Sequence, residues 1–152
     1  MNNEPPSPLS LPAVAAAEAV LAVEPPEAGT INTVISLDAG ALARLRELDP
    51  DGRHGVVMRV MKAFESSLSR MMGQLSAQLV EPGRGDPAVL ARVAHTLKSS
   101  SASVGAMSLA RACAEVEQGV RSGTLSDIDV QVRRLVAECE AALAAVTAML
   151  RQ

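Results

Sequence analysis

The chain has 152 residues and a net charge of −3, and 48% of its residues are hydrophobic, enough for the core of one domain. Aromatic residues make up only 1%, and a core of Ala, Val, Leu and Met favours closely packed helices over a β-sandwich. The negative charge gives no reason to expect a nucleic-acid partner, and no apolar run is long enough to span a membrane.

The beginning of the chain differs in composition from the rest. Residues 1–30 hold six of the nine prolines and four glutamates, without Lys or Arg. This composition predicts a disordered, Pro/Ala-rich acidic tail over residues 1–34 and a folded domain over residues 35–152. A short helix over residues 14–23 that lies on a surface groove is the alternative. The apolar run of residues 13–23 has no basic segment before it, so we expect no secretory signal and a cytoplasmic protein.

Helical periodicity and capping signals divide the domain into helices. A short helix begins after Asp38, an N-cap candidate, and ends at a turn of residues 49–52. A long helix covers about residues 54–79. Asp86 and Pro87 then begin a third helix, as N-cap and first helical residue, and Gly105 ends it.

Two more helices follow after short connections. The fourth covers about residues 107–121 and stops at Gly123. Ser126 or Asp127 caps the last helix, which extends to about Met149. Four long amphipathic helices with short loops predict an all-α fold, an antiparallel four-helix bundle with a short extra N-terminal helix.

His95 lies on the exposed face of the third helix. Successive helical residues are about 100° apart, and the predicted buried stripe lies on the side opposite to His95. Its members are Leu90, Val93, Ala94, Leu97, Ser101 and Val104. Small side chains and two cations surround the imidazole within about 60°: Ala91, Arg92, Lys98, Ser99 and Ala102. A histidine placed in this way can be approached by another macromolecule and can hold an anion.

The twelve residues that begin with His95 carry a family pattern. The run His-x-Leu-Lys-x-Ser-Ser-x-x-x-Gly-Ala resembles the signature of histidine phosphotransfer (HPt) domains, the phosphoryl carriers of two-component phosphorelays. Helical patterns with the order and spacing of an HPt bundle run from about Leu37 to Leu150. The family commonly has glycine after the lysine, where this chain has Ser99, which is still small enough for a partner to dock closely.

The resemblance implies a role for each motif residue. His95 would accept a phosphoryl group from an aspartate of a receiver domain and pass it to another receiver or return it. Lys98 would be the motif lysine that stabilises the phosphoryl charge. In related domains a glutamine of the following helix can orient the histidine, and Gln118 is the candidate here. Gly105 would be structural, and the receiver would dock on Ala91, Arg92, Ser99 and Ala102.

The same resemblance implies a phosphocarrier without kinase activity of its own. The partners would be receiver domains of response regulators and a hybrid histidine kinase. No cofactor is expected in this chain, because the receiver brings the Mg²⁺. We expect a monomer, because HPt bundles usually build all four helices from one chain.

Two alternatives differ in function from a carrier. One is a helical interaction or inhibitory module that binds a kinase or receiver without phosphotransfer, and Ser99 in place of glycine is its support. The other is the dimerisation and phosphoacceptor helix pair of a sensor kinase. That family has an acidic residue directly after the histidine, whereas Thr96 follows His95 here.

The other candidate reactive residues are interpreted as structural. His54 lies at a loop edge and is predicted to be a cap or turn residue. Cys113 and Cys139 lie on apolar helical faces, which predicts buried thiols; a disulfide would require the two helices to face each other at these positions. Neither histidine has Asp or Glu at ligand spacing, so no metal site is predicted.

Overall fold

The computed structural model describes residues 36–152, and these residues form five α-helices and no strand. The helices are α1 (Ala39–Glu47), α2 (Val56–Ala77), α3 (Pro87–Val104), α4 (Met107–Ser122) and α5 (Ile128–Leu150). The order and number of helices predicted for the domain are therefore confirmed. The predicted tail of residues 1–34, with its alternative helix over residues 14–23, lies outside the described residues.

Three aspartates begin three of the helices. The carboxylates of Asp38, Asp86 and Asp127 each accept a backbone N–H of the first helical turn, at 2.8, 2.9 and 2.9 Å. These bonds satisfy donors that have no partner inside the helix. Asp38 and Asp86 are the predicted caps of α1 and α3, and the choice between Ser126 and Asp127 is decided in favour of Asp127.

The start of α2 differs from the prediction by two residues, because its cap comes from the preceding turn. The helix begins at Val56, and its N-cap residue Gly55 has no side chain to offer. The buried carboxylate of Asp49 instead accepts the backbone N–H groups of His54 and Val56 at 3.1 and 3.2 Å. The exposed ring of His54 lies 3.3 Å from the same carboxylate, which confirms that His54 is a turn residue.

The four long helices form a closed bundle. α3 packs against α2 and α4, and α5 packs against the same two helices from the other side, so α3 and α5 are diagonal to each other. The short helix α1 packs across α2 and α3. All six residues of the predicted stripe on α3 are buried, and Phe64 on α2, the single aromatic residue, lies in the same core.

Gly105 connects the end of α3 to the start of α1. Its φ of +87° is in the left-handed region, where glycine ends helices without steric cost. Its carbonyl accepts the backbone N–H of Asp38 at 2.8 Å. A Cβ at this position would lie 2.7 Å from the Asp38 nitrogen, so no other residue fits without a shift of the backbone.

Cys113 on α4 and Cys139 on α5 are buried free thiols, as predicted. Burial raises the pKa of both thiols to about 12, which keeps them in the unreactive protonated form at neutral pH. Among the helices of residues 36–152, none combines the length and the apolar character needed to cross a membrane.

Candidate functional site

His95 lies in the middle of α3 with its side chain facing solvent. The side chain is 73% exposed, whereas Ala94, directly before it, and Leu97, two residues after it, are buried in the core. Because the backbone of α3 is fixed by that buried stripe, the imidazole is presented to solvent from a rigid position. It is accessible to a partner without any rearrangement of the bundle.

A carboxylate from the neighbouring helix holds one nitrogen of the imidazole. Glu117 on α4 places Oε1 3.0 Å from Nδ1 of His95. An ionised carboxylate can only accept hydrogen bonds, so Nδ1 must carry the proton. In a neutral ring, the lone pair of Nε2 is then free to attack an electrophile. The contact between α3 and α4 therefore sets the tautomer of the exposed histidine.

Two cations share the same carboxylate. The ammonium group of Lys98 on α3 lies 2.6 Å from Oε2 of Glu117, and Nη2 of Arg121 on α4 lies 3.0 Å from Oε1. We call His95, Lys98, Glu117 and Arg121 the Glu117 cluster. Glu117 is only 12% exposed, whereas the three residues that donate to it are much more accessible. The arrangement is a largely buried anion at the base of a positively charged surface.

These donors stabilise the ionised form of Glu117. The hydrogen bond from Lys98, followed by that from His95, lowers the pKa of Glu117 to about 2. The carboxylate is therefore charged at every physiological pH. It can accept the Nδ1 proton of His95 in a hydrogen bond without taking that proton itself.

The structure brings Glu117, and not Gln118, to the imidazole. The amide oxygen of Gln118 accepts a hydrogen bond from Arg121 at 3.2 Å, and its side chain is exposed. The reason is helical geometry, since Gln118 lies about 180° from the mean direction of the buried residues of α4. Glu117 lies about 70° from that direction, on the flank that faces α3. The angular signal that favours Glu117 was present in the sequence.

The predicted docking residues surround His95 as expected from the helical wheel. Arg92 and Ser99 are exposed, and Ala91 and Ala102 are partly buried. Arg92 has the only large side chain of the four, and the other three are too small to cover the imidazole. Within residues 36–152 no group of three His, Cys, Asp or Glu residues is arranged to hold a metal ion.

Comparison with known proteins relates this site to a family. The Hpt domain model matches residues 59–148, more than half of the chain. The chain belongs to the Hpt domain family. The matched residues include all of α3 and α4, and with them the whole Glu117 cluster. Membership in the Hpt family supports a role as a phosphotransfer carrier in phosphorelays.

A solved structure supports the same conclusion for the fold. The chain is similar to histidine-containing phosphotransfer protein B (HptB) from Pseudomonas aeruginosa PAO1, with a TM-score of 0.62 and 25% sequence identity. The similarity covers 76% of this chain and 94% of that protein. No curated protein sequence gives a significant match.

Proposed function

We propose that this Hpt protein carries a phosphoryl group on Nε2 of His95. It accepts the group from an aspartate of one receiver domain and transfers it to the aspartate of another receiver, or carries it in the reverse direction. The observation that carries this proposal is the exposed imidazole whose Nδ1 is held by Glu117, because that contact leaves Nε2 as the free nucleophile.

Lys98 supplies a positive charge beside the reacting group. The transferred phosphoryl group is anionic and passes through a loose transition state, so cations beside it lower the barrier. Lys98 lies one turn after His95 and is 41% exposed, so its ammonium group can move from Glu117 to an incoming phosphoryl oxygen. Arg121 is 67% exposed and pairs with the same carboxylate of Glu117.

The partner in this proposal completes the site. A receiver domain would bring the acidic pocket, the Mg²⁺ and the aspartate, and it would dock over Ala91, Arg92, Ser99 and Ala102. A hybrid histidine kinase would supply the phosphoryl group to the relay. The carrier would therefore need no kinase activity of its own. We further propose that it works as a monomer in the cytoplasm.

The test is phosphoryl transfer from a phosphorylated receiver domain to the full-length chain. We expect an acid-labile, base-stable label on the wild type and no label on His95→Gln. His54→Gln is the matched control, because it removes the other histidine and should leave labelling unchanged. Labelling of His95→Gln would contradict the assignment of the phosphoryl group to His95. A folded wild type that binds receivers but never becomes labelled would instead indicate an interaction module.

A further inference from the structure

We propose that Glu117 keeps the imidazole of His95 protonated at Nδ1 while Nε2 carries the phosphoryl group, so that the group can leave without uptake of a proton. The inference rests on the proposed function, because it concerns the phosphorylated state of the same histidine. It assigns Glu117 as a positioning residue that acts through the imidazole.

The loading step shows why a proton must be held. The Nε2 lone pair attacks the phosphorus of an aspartyl phosphate, the P–O bond breaks, and its electron pair returns to the aspartate carboxylate. The ring already carries the Nδ1 proton, so the product is a phosphorylated imidazolium with a positive charge. Glu117 lies 3.0 Å from that proton and carries the opposite charge. The new cation therefore forms inside an existing hydrogen bond.

The return step depends on the same proton. A receiver aspartate attacks the phosphorus, the P–Nε2 bond breaks, and its electron pair goes to Nε2. With Nδ1 protonated, the leaving group is neutral imidazole. If the phosphorylated ring loses that proton to solvent, the leaving group is the imidazolate anion, a far stronger base and a far poorer leaving group. Retention of the proton therefore keeps the transfer fast in both directions.

A carboxylate holds the Nδ1 proton more strongly than an amide does. The oxygen of a glutamine also accepts a hydrogen bond from Nδ1, so it can fix the tautomer of the neutral ring. It carries no net charge, so it favours the cationic ring over its deprotonated form by a hydrogen bond alone, whereas a carboxylate adds the attraction of an opposite charge. Because Glu117 is only 12% exposed, its charge is less screened by solvent than that of a surface carboxylate.

The other charged groups near the ring do not replace Glu117. On α3 and α4, Arg92, Lys98 and Arg121 are cations, which oppose a positive charge on the ring. Lys98 and Arg121 are themselves held by Glu117. Most acidic groups on the other helices have partners among the described residues, and the exposed Glu47 of α1 and Glu140 of α5 form no ion pair there. Glu115 pairs with Arg134 of α5, Glu138 of α5 accepts from Ser108, Glu65 of α2 accepts from Thr147, and Asp38 caps α1. The remaining charges of the two helices that flank α3 are the cations Arg59, Lys62 and Arg70 on α2 and Arg111 on α4.

The test is the pH profile of phosphoryl transfer from phosphorylated His95 to a receiver domain. We compare the full-length wild type with Glu117→Gln between about pH 6 and pH 9, with the same receiver. The ratio of the two rates cancels the pH dependence of the receiver. We expect the two proteins to transfer at similar rates at about pH 6. Above neutral pH, the rate of Glu117→Gln should fall relative to the wild type by about tenfold per pH unit, because the fraction of its phosphorylated rings that carry the Nδ1 proton falls about tenfold per unit.

The matched control is Glu115→Gln, on the same helix and paired with Arg134 away from the imidazole. It should retain the wild-type profile. A constant rate ratio between Glu117→Gln and the wild type at all pH values would overturn the proposal, because it would assign Glu117 only to orientation of the ring.

A second measurement separates this inference from the proposed function. In a His54→Gln background, phosphoramidate can phosphorylate His95 chemically, and ³¹P NMR can then follow the titration of the phosphorylated ring. We expect the ring to lose its proton at a higher pH with Glu117 than with Gln at that position. Equal titration curves would reject the role of Glu117, whereas a failure of receivers to label the wild type would reject only the proposed function.

Discussion

Glu117 shows how one side chain can define a site without reacting itself. Its two oxygens accept hydrogen bonds from His95, Lys98 and Arg121, which come from two different helices. The carboxylate fixes the tautomer of the imidazole and holds Lys98 beside it. Its negative charge also offsets the repulsion between Lys98 and Arg121. Because these donors lower the pKa of Glu117, the cluster also couples the stability of the protein to pH.

The direction of that coupling follows from the pKa. The pKa of folded Glu117 is about 2, below the ordinary value of 4.5, so the ionised form stabilises the folded state. This contribution is fully present above about pH 4.5 and is lost as the pH falls towards 2. We expect Glu117→Gln to lower the Tm at neutral pH and the difference from the wild type to shrink progressively below about pH 4.5.

Thermal unfolding followed by circular dichroism at a series of pH values measures this effect. Glu140→Gln is a suitable control, because Glu140 is exposed on α5 and forms no ion pair within the described residues. A Tm difference for Glu117→Gln that stays constant down to pH 2 would show that the carboxylate stabilises the fold by packing and not by charge.

The sequence was sufficient to predict the exposed position of His95 and the arrangement of its neighbours on α3, because these residues lie on one helix. The 100° spacing places each of them relative to the others, and the buried stripe opposite His95 was predicted without error. Glu117 belongs to another helix, and its contact with His95 depends on the rotation and height of α4 against α3. A helical wheel identifies Glu117 as a flanking residue but does not say which neighbour it faces. The candidate Gln118 comes from the family resemblance, in which a glutamine of the following helix can lie beside the histidine.

The turn between α3 and α4 is the element that joins the histidine helix to the short helix α1. Gly105 and Gly123 both end helices in the left-handed conformation, with φ of +87° and +67°. They differ in their surroundings, because a Cβ on Gly105 would meet the backbone of Asp38, whereas one on Gly123 meets nothing within 4 Å. Alanine substitutions at these two glycines therefore distinguish the cost of the left-handed backbone from the cost of a steric clash.

We expect Gly123→Ala to destabilise the protein by about 1 kcal/mol, the usual cost of the left-handed conformation for a residue with a Cβ. Gly105→Ala should cost about 2–3 kcal/mol, because α1 must also shift away from the turn. Denaturant unfolding of both variants gives the two free energies. Equal losses would show that α1 adjusts to an added methyl group without cost, and that the contact with Asp38 contributes little.

Element boundaries were predictable where the capping residue lies next to the helix it caps. Asp38, Asp86 and Asp127 directly precede the helices that they begin; the first two are predicted caps, and Asp127 is one of the two candidates for the last helix. Asp49 is seven residues before Val56, whose N–H it accepts, and the turn between them brings the two together. That contact depends on the conformation of the whole loop, which local sequence patterns do not specify.

At the scale of the whole molecule, the bundle separates two faces of different charge. α2 and α3 carry five cations, Arg59, Lys62, Arg70, Arg92 and Lys98, against one acid. That acid, Glu65, hydrogen-bonds to Thr147 of α5 and so lies on the side of α2 away from α3. The chain as a whole has a net charge of −3, yet the surface around His95 is positive. Such a surface complements the acidic pocket of the proposed receiver partner.

If a receiver docks on this face, a large side chain introduced beside His95 should block phosphoryl transfer. A large side chain on α5, which is diagonal to α3, should have no effect. Ser99 on α3 and Ala144 on α5 are both exposed, and their helices lie on opposite corners of the bundle. We expect Ser99→Trp to slow phosphoryl transfer from a receiver at least about tenfold, because the two reacting atoms can no longer approach in line. Ala144→Trp should transfer at the wild-type rate, and both variants should keep the wild-type Tm. Equal transfer rates for the two tryptophan variants would mean that the partner reaches His95 from the α4 side, over Lys98 and Arg121.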